Sequence, residues 1–122
     1  MTVLGLTPTL YTRDIRGSVA FYVTMLGFTH DGPDGEGVAF VRRDGVEIMF
    51  AWPSAHLPFE RPLFTGALYI RCDDVDAAWE RVRDTAKVCY PIEDFDYGMR
   101  EFAIFDNNGY LLQFGQEIDA AS

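Results

Sequence analysis

Apolar positions along this chain follow two alternating periods, and the alternation predicts its elements. Over residues 6–13 they alternate singly, with Leu10 and Thr12 facing one way and Thr9 and Tyr11 the other, the mark of a strand. Ile15, Val19, Tyr22 and Leu26 then fall at helical spacing, with Asp14 placed to cap the segment and Gly27 where a helix would end. Residues 28–30 read as a short strand, 31–37 as a loop crowded with glycine and proline, and 38–50 as a hairpin turning at Asp44-Gly45. Over residues 52–66 three prolines break both periods, so this stretch reads as a connector.

The programme then repeats. Residues 67–72 form the next expected strand, Asp74 the next cap, and 75–83 a helix with Val75, Ala78, Trp79 and Val82 inward. A short strand over 88–92, an acidic loop over 93–98 and a hairpin of strands 102–105 and 110–114 follow, with Asn108-Gly109 expected to supply the positive φ angles of its turn. A displacement of 60 residues lays Leu10 on Ile70, Thr12 on Cys72 and Asp14 on Asp74, and one of 64 lays Ala39 on Ala103, Gly45 on Gly109 and Phe50 on Phe114. A rival displacement of 58 matches Leu10-Tyr11 with Leu68-Tyr69 but fails at the caps. Repetition of this kind predicts an α+β fold of two βαβββ modules, 6–52 and 67–116, joined by 53–66 within one domain.

Composition narrows the function. The 122 residues are 48% hydrophobic and 15% aromatic, enough for a core, and no apolar run reaches the length of a transmembrane helix. The start has neither the basic residues nor the apolar segment of a secretory signal, and Cys72 and Cys89 lack Cys-x-x-Cys spacing. A reducing, cytoplasmic setting is the expectation, with a disulfide between the pair left open. A net charge of −9 repels nucleic acid and anionic membranes and attracts cations, although such charge most often serves only to keep a protein soluble.

Two stretches resemble a known family. Thr12-Arg13-Asp14-Ile15, Ser18, Phe21-Tyr22 and Leu26-Gly27-Phe28 look like the opening module of the vicinal oxygen chelate superfamily, which includes glyoxalase I, extradiol dioxygenases, and fosfomycin- and bleomycin-resistance proteins. Tyr97-Gly98-Met99-Arg100-Glu101-Phe102-Ala103, continuing through Asp106-Asn107-Asn108-Gly109, is similar to the bleomycin-resistance branch, with Met99 an extra residue in the motif. The resemblance implies curved mixed sheets around a cup, and a homodimer whose pocket is built by both chains.

It also implies four positions where the metal enzymes hold a divalent ion. Those positions carry Thr7, Met49, Ala67 and Gln113 here, with Glu47 two residues before Met49 on the same strand face. One carboxylate and one amide do not replace the imidazoles and carboxylates that offset a divalent ion's dehydration. The expectation is therefore no metal and no cofactor. The alternative is a metal-dependent lyase, isomerase or dioxygenase whose ligands are arranged around Glu47 and His56.

Other chemistries find little support. His30 ends a short strand and His56 lies in the connector, where each reads as an ordinary loop histidine. Cys72 is expected to face the helix layer, Ser18 and Ser54 have no evident base, and the cluster of Glu93, Asp94 and Asp96 reads as a solvated loop. Alternation puts Thr7, Thr9, Tyr11, Glu47, Met49, Tyr69, Arg71, Leu111 and Gln113 on the concave side, and Leu10, Ile48, Ile70 and Leu112 beneath the helices. Trp52, Phe59 and Tyr97 are candidates for the rim. The expected ligand-binding set is thus Glu47, Met49, Trp52, Phe59, Tyr69, Arg71, Tyr97 and Gln113, suited to a small cationic or aromatic organic molecule such as a bleomycin-type antibiotic.

Overall fold

Each half of the chain lays one capped helix against one sheet. The computed structural model describes residues 1–32, 34–56 and 60–118, which divide into two units, Met1–Arg61 and Pro62–Ser122. In the first unit, strand β1 (Thr9–Tyr11) leads into helix α1 (Ile15–Leu26), followed by β2 (Val38–Arg43) and β3 (Val46–Ala51). The sheet order is β1-β3-β2, with β1 parallel and β2 antiparallel to β3. Helix α1 begins where the Asp14 carboxylate accepts the Gly17 N–H and ends at Gly27, whose φ of 72° suits a residue without a Cβ. Its Tyr22 is fully buried and meets Phe50 edge-on, ring centroids 5.0 Å apart, over a core shared with Leu10 and Ile48.

Two expectations contract here. The strand foreseen over 6–13 narrows to Thr9–Tyr11, because Pro8 accepts the Met49 N–H at 2.9 Å but has no N–H to return. The strand foreseen over 28–30 is reduced to one bridge, Thr29 to Arg42, after which the chain turns away through Gly32 at positive φ. The first sheet therefore has three strands, not the four of a full βαβββ module.

The second unit realises all four. Strand β4 (Leu68–Arg71), helix α2 (Val75–Val82), β5 (Lys87–Asp94), β6 (Met99–Phe105) and β7 (Leu111–Glu117) build a sheet of order β4-β7-β6-β5. Asp74 caps α2 by accepting the Ala77 N–H at 3.1 Å. Trp79 of α2 packs on Phe102, and Phe102 stacks on Phe114, which fixes the apolar side of the sheet. Strand β5 runs past the expected 88–92 and takes Glu93 and Asp94 out of the expected loop. It lies at the sheet edge, where Pro91 interrupts no inner ladder.

The two hairpins close differently. Asp44 and Gly45 both have positive φ, 50° and 85°, as a two-residue primed turn requires. In the second hairpin Asp106 N–H bonds Tyr110 carbonyl, and the Asp106 carboxylate accepts the N–H groups of Asn108, Gly109 and Tyr110. Only Gly109, at φ 100°, is left-handed there; Asn108 is not, contrary to expectation, because the loop is one residue longer. That extra residue also shifts the repeat. Phe40 pairs with Met49 and Ala103 with Gln113, so Phe40, not Ala39, is the counterpart of Ala103. No helix among the described residues is long and apolar enough to cross a membrane.

Candidate functional site: a carboxylate held by tyrosines

Strand register sets the chemistry of the face opposite α2. Tyr69, Gln113 and Ala103 lie side by side across β4, β7 and β6, with Tyr90 next on β5. The neighbouring row carries Arg71, Gly115 and Glu101. Phe102 and Ile104 point to the core, so their neighbours Glu101 and Ala103 point to this face.

Glu101 is only 1% exposed. Its Oε1 accepts the Tyr69 hydroxyl at 2.9 Å and its Oε2 accepts the Tyr90 hydroxyl, while the nearby Tyr97 hydroxyl also favours its charged form. Burial alone would raise its pKa, but the three hydroxyls outweigh burial and hold the carboxyl below its ordinary range. The same burial and the bond to Glu101 push Tyr69 up to about 12 and Tyr90 upward as well. Tyr97, interacting with Glu101, rises to about 12. The carboxylate is ionised and its phenols are neutral at physiological pH. No basic side chain pairs with Glu101 among the described residues.

Gly115 makes this geometry possible. A Cβ there would lie 2.1 Å from the Tyr69 hydroxyl oxygen, so only glycine lets the phenol cross β7 to reach Glu101. Aromatic packing completes the surround: Phe95 meets Tyr90 edge-on at 5.7 Å and stacks on Tyr97 at 5.3 Å. Gln113 donates from Nε2 to the Tyr90 oxygen at 3.0 Å.

Of the residues singled out by sequence, Tyr69, Tyr97 and Gln113 therefore come together, around a carboxylate that sequence reasoning passed over. Glu101 and Tyr90 are the additions. The signal available for Glu101 was parity, since it falls two residues before Ala103 on the side away from the core. Arg71 is exposed in the Gly115 row and forms no ion pair among the described residues. Arg100 lies on the helix side, bonded to Asp76 and Asp94 at 2.9 and 3.0 Å.

In the first unit Glu47 accepts the Thr7 hydroxyl at 3.0 Å and pairs with Arg42 at 2.6 Å. The Met49 sulfur accepts the Thr9 hydroxyl at 3.6 Å. Trp52 stands apart from both, its ring closed against Gly37 at the edge of a cleft of about 510 Å³ that also borders Arg13, Arg16, His30 and Asp34. His30 and Asp34 are paired there at 2.8 Å. Phe59 lies outside the described residues. Cys72 and Cys89 are separate thiols.

The four positions at which related metal enzymes bind their ion do not fit a divalent cation in this chain. Thr7 and Gln113 offer only a neutral hydroxyl and a neutral amide oxygen, Met49 a thioether and Ala67 a methyl group, with no imidazole or carboxylate among them. Among the described residues no group of three or more His, Cys, Asp or Glu side chains could hold a metal.

Comparison with known proteins agrees with this architecture. The sequence profile of the Glyoxalase/Bleomycin resistance protein/Dioxygenase superfamily matches residues 5–114. No curated protein matches the sequence. Among solved structures, a glyoxalase/bleomycin resistance protein/dioxygenase from Nocardioides is 22% identical, with a TM-score of 0.77 over 98% of this chain and 88% of that one. A bleomycin resistance determinant encoded on transposon Tn5 is 21% identical, with a TM-score of 0.74 over 94% and 98%. A lactoylglutathione lyase from Agrobacterium tumefaciens is 19% identical, with a TM-score of 0.70 over 94% of each chain. At these identities the likeness is one of fold.

Proposed function

Because the chain belongs to the glyoxalase/bleomycin resistance protein/dioxygenase superfamily, whose fold hosts both binding proteins and metal enzymes, we propose that it binds and sequesters a small cationic or aromatic organic molecule of the bleomycin type, without a metal. One observation carries this reading. Tyr69 and Tyr97 are 42% and 60% exposed on a face that bears an ionised carboxylate and a polar amide, a surface suited to stacking and to positive charge. The net charge of −9 favours the approach of such a ligand. A homodimer is part of the proposal and follows from the resemblance.

Calorimetry against metal-free bleomycin at moderate salt tests the reading, with light scattering reporting the oligomeric state. Saturable heat at micromolar protein is expected, and its absence removes that ligand. Metal analysis of protein purified without chelators separates binding from metal-dependent catalysis. Stoichiometric metal that disappears in Glu47→Ala would overturn the proposal.

A further inference from the structure

A buried carboxylate is ordinarily matched by a basic partner, and Glu101 has none among the described residues. Its donors are neutral phenols, so the site keeps a full negative charge. The same hydrogen bonds orient its neighbour. An ionised carboxylate only accepts, so the single Tyr90 hydroxyl proton points to Glu101 and the Tyr90 oxygen must accept from Gln113. That fixes the amide with Nε2 inward and turns Oε1 away from Tyr90, where no described residue donates to it. Across the sheet from Gln113 stands Ala103, fully buried and without a polar group to compete for the amide. The face thus presents an oriented acceptor, two exposed phenol rings and an ionised carboxylate beneath them, each favouring a cation, with the exposed Arg71 in the Glu101 row as the opposing charge.

We propose that the open face of the second unit recognises a protonated amine, with Gln113 Oε1 accepting its N–H, the Tyr69 and Tyr97 rings flanking it and Glu101 supplying the compensating charge from beneath. Tyr90 and Gly115 are positioning residues in this scheme. Tyr90 sets the direction of the Gln113 amide, and Gly115 lets Tyr69 reach the carboxylate. The proposal rests on the small-molecule binding reading above and names the ligand chemistry that this face selects.

The test titrates the isotopically labelled full chain with 2-phenylethylamine and, in parallel, with 2-phenylethanol at neutral pH, following backbone amide shifts by NMR. The amine is expected to move the amides of Tyr69, Tyr97, Glu101 and Gln113 with a Kd of order 1–10 mM, as suits so small a ligand. The alcohol, with the same ring and no charge, should bind about tenfold more weakly. Gln113→Met keeps the side-chain volume, removes the acceptor and leaves Glu101 its three phenols, and should weaken the amine by about tenfold. Glu101→Gln should weaken it by a similar factor of roughly ten, and Gln113→Met keeps the test decisive if that variant is misfolded. Equal affinity for amine and alcohol overturns the proposal, as does wild-type amine affinity in Gln113→Met or an amine titration that leaves this face unshifted. If bleomycin gives no heat while the amine shifts localise to this face, the antibiotic reading fails and amine recognition stands. If bleomycin binds and the amine leaves the face unshifted, the converse holds.

Discussion

The two units share a strand register and treat a carboxylate in opposite ways. In the first, Thr9, Leu10 and Tyr11 pair with Met49, Phe50 and Ala51; in the second, Tyr69, Ile70 and Arg71 pair with Gln113, Phe114 and Gly115. Core positions keep their character across this repeat, Leu10 and Phe50 answering Ile70 and Phe114. The opposite face diverges, with Thr9, Met49 and Phe40 in one unit and Tyr69, Gln113 and Ala103 in the other. The first unit leaves Glu47 partly exposed and neutralises it with Arg42 on the adjacent strand. The second buries Glu101 and satisfies it with phenols, one of them from β5, a strand the first unit reduces to a single bridge. An ion pair lets a carboxylate rest at the surface at little cost. Neutral donors in sufficient number let it be buried and still charged, which is the condition for attracting a cation from outside.

Removing Glu101 should have the largest effect. Glu101→Ala leaves the Tyr69 and Tyr90 hydroxyls without their acceptor and is expected to lower stability by about 2–3 kcal/mol in urea unfolding. The loss should depend on pH. The phenols hold the folded carboxyl below its ordinary range although burial opposes them, so its contribution is complete above that range. It disappears as pH falls through the lowered value, and the gap between wild type and variant should close on acidification. A gap that widens in acid would mean the carboxyl is held neutral.

Gly115→Ala should follow, at about 1–3 kcal/mol, because its Cβ would displace the Tyr69 hydroxyl. Its counterpart Ala51 already carries that Cβ, and Ala51→Gly should cost only about 0.5–1 kcal/mol through backbone entropy. Tyr69 gives a second readout. Burial and the bond to Glu101 raise it to about 12, so its neutral form stabilises the fold fully below the ordinary tyrosine value and loses that effect as pH rises through 12. In Gly115→Ala an alkaline absorbance titration should show one phenol fewer in the late-titrating class. An unchanged titration would show that Tyr69 reaches Glu101 by another path.

Much of this architecture is legible in the sequence. Caps at Asp14 and Asp74, the two helical stripes and the displacement of 60 residues are local or periodic signals, and each gave the right element. What escaped depends on pairing. The displacement of 64 misplaced β2 against β6 by one residue, because a side chain of Asp106 lengthened the turn in a way no dipeptide pattern reveals. That slip set Ala39 on Ala103 when the two face opposite sides. Glu101 was hidden by its company, reading as one more residue of a family motif until register put it beside Gly115 and within reach of three tyrosines from separate places in the chain.

Glu47 offers the smallest effect and the sharpest control. Glu47→Ala should cost at most about 0.5–1 kcal/mol, since the pair is surface-exposed and ordering two long side chains offsets much of its attraction. Arg42 is not stranded by the change, because it also reaches Asp31 at 3.1 Å and lies 5.6 Å from the Phe40 ring centroid. Salt then discriminates the two carboxylates. At an ionic strength of about 1 M, where the screening length shrinks to roughly 3 Å, the Glu47→Ala difference should vanish while that of Glu101→Ala persists, since neutral phenols are not screened from a buried carboxylate. Equal losses in the two variants, with equal salt sensitivity, would erase the distinction between a surface carboxylate paired with arginine and a buried one satisfied by phenols.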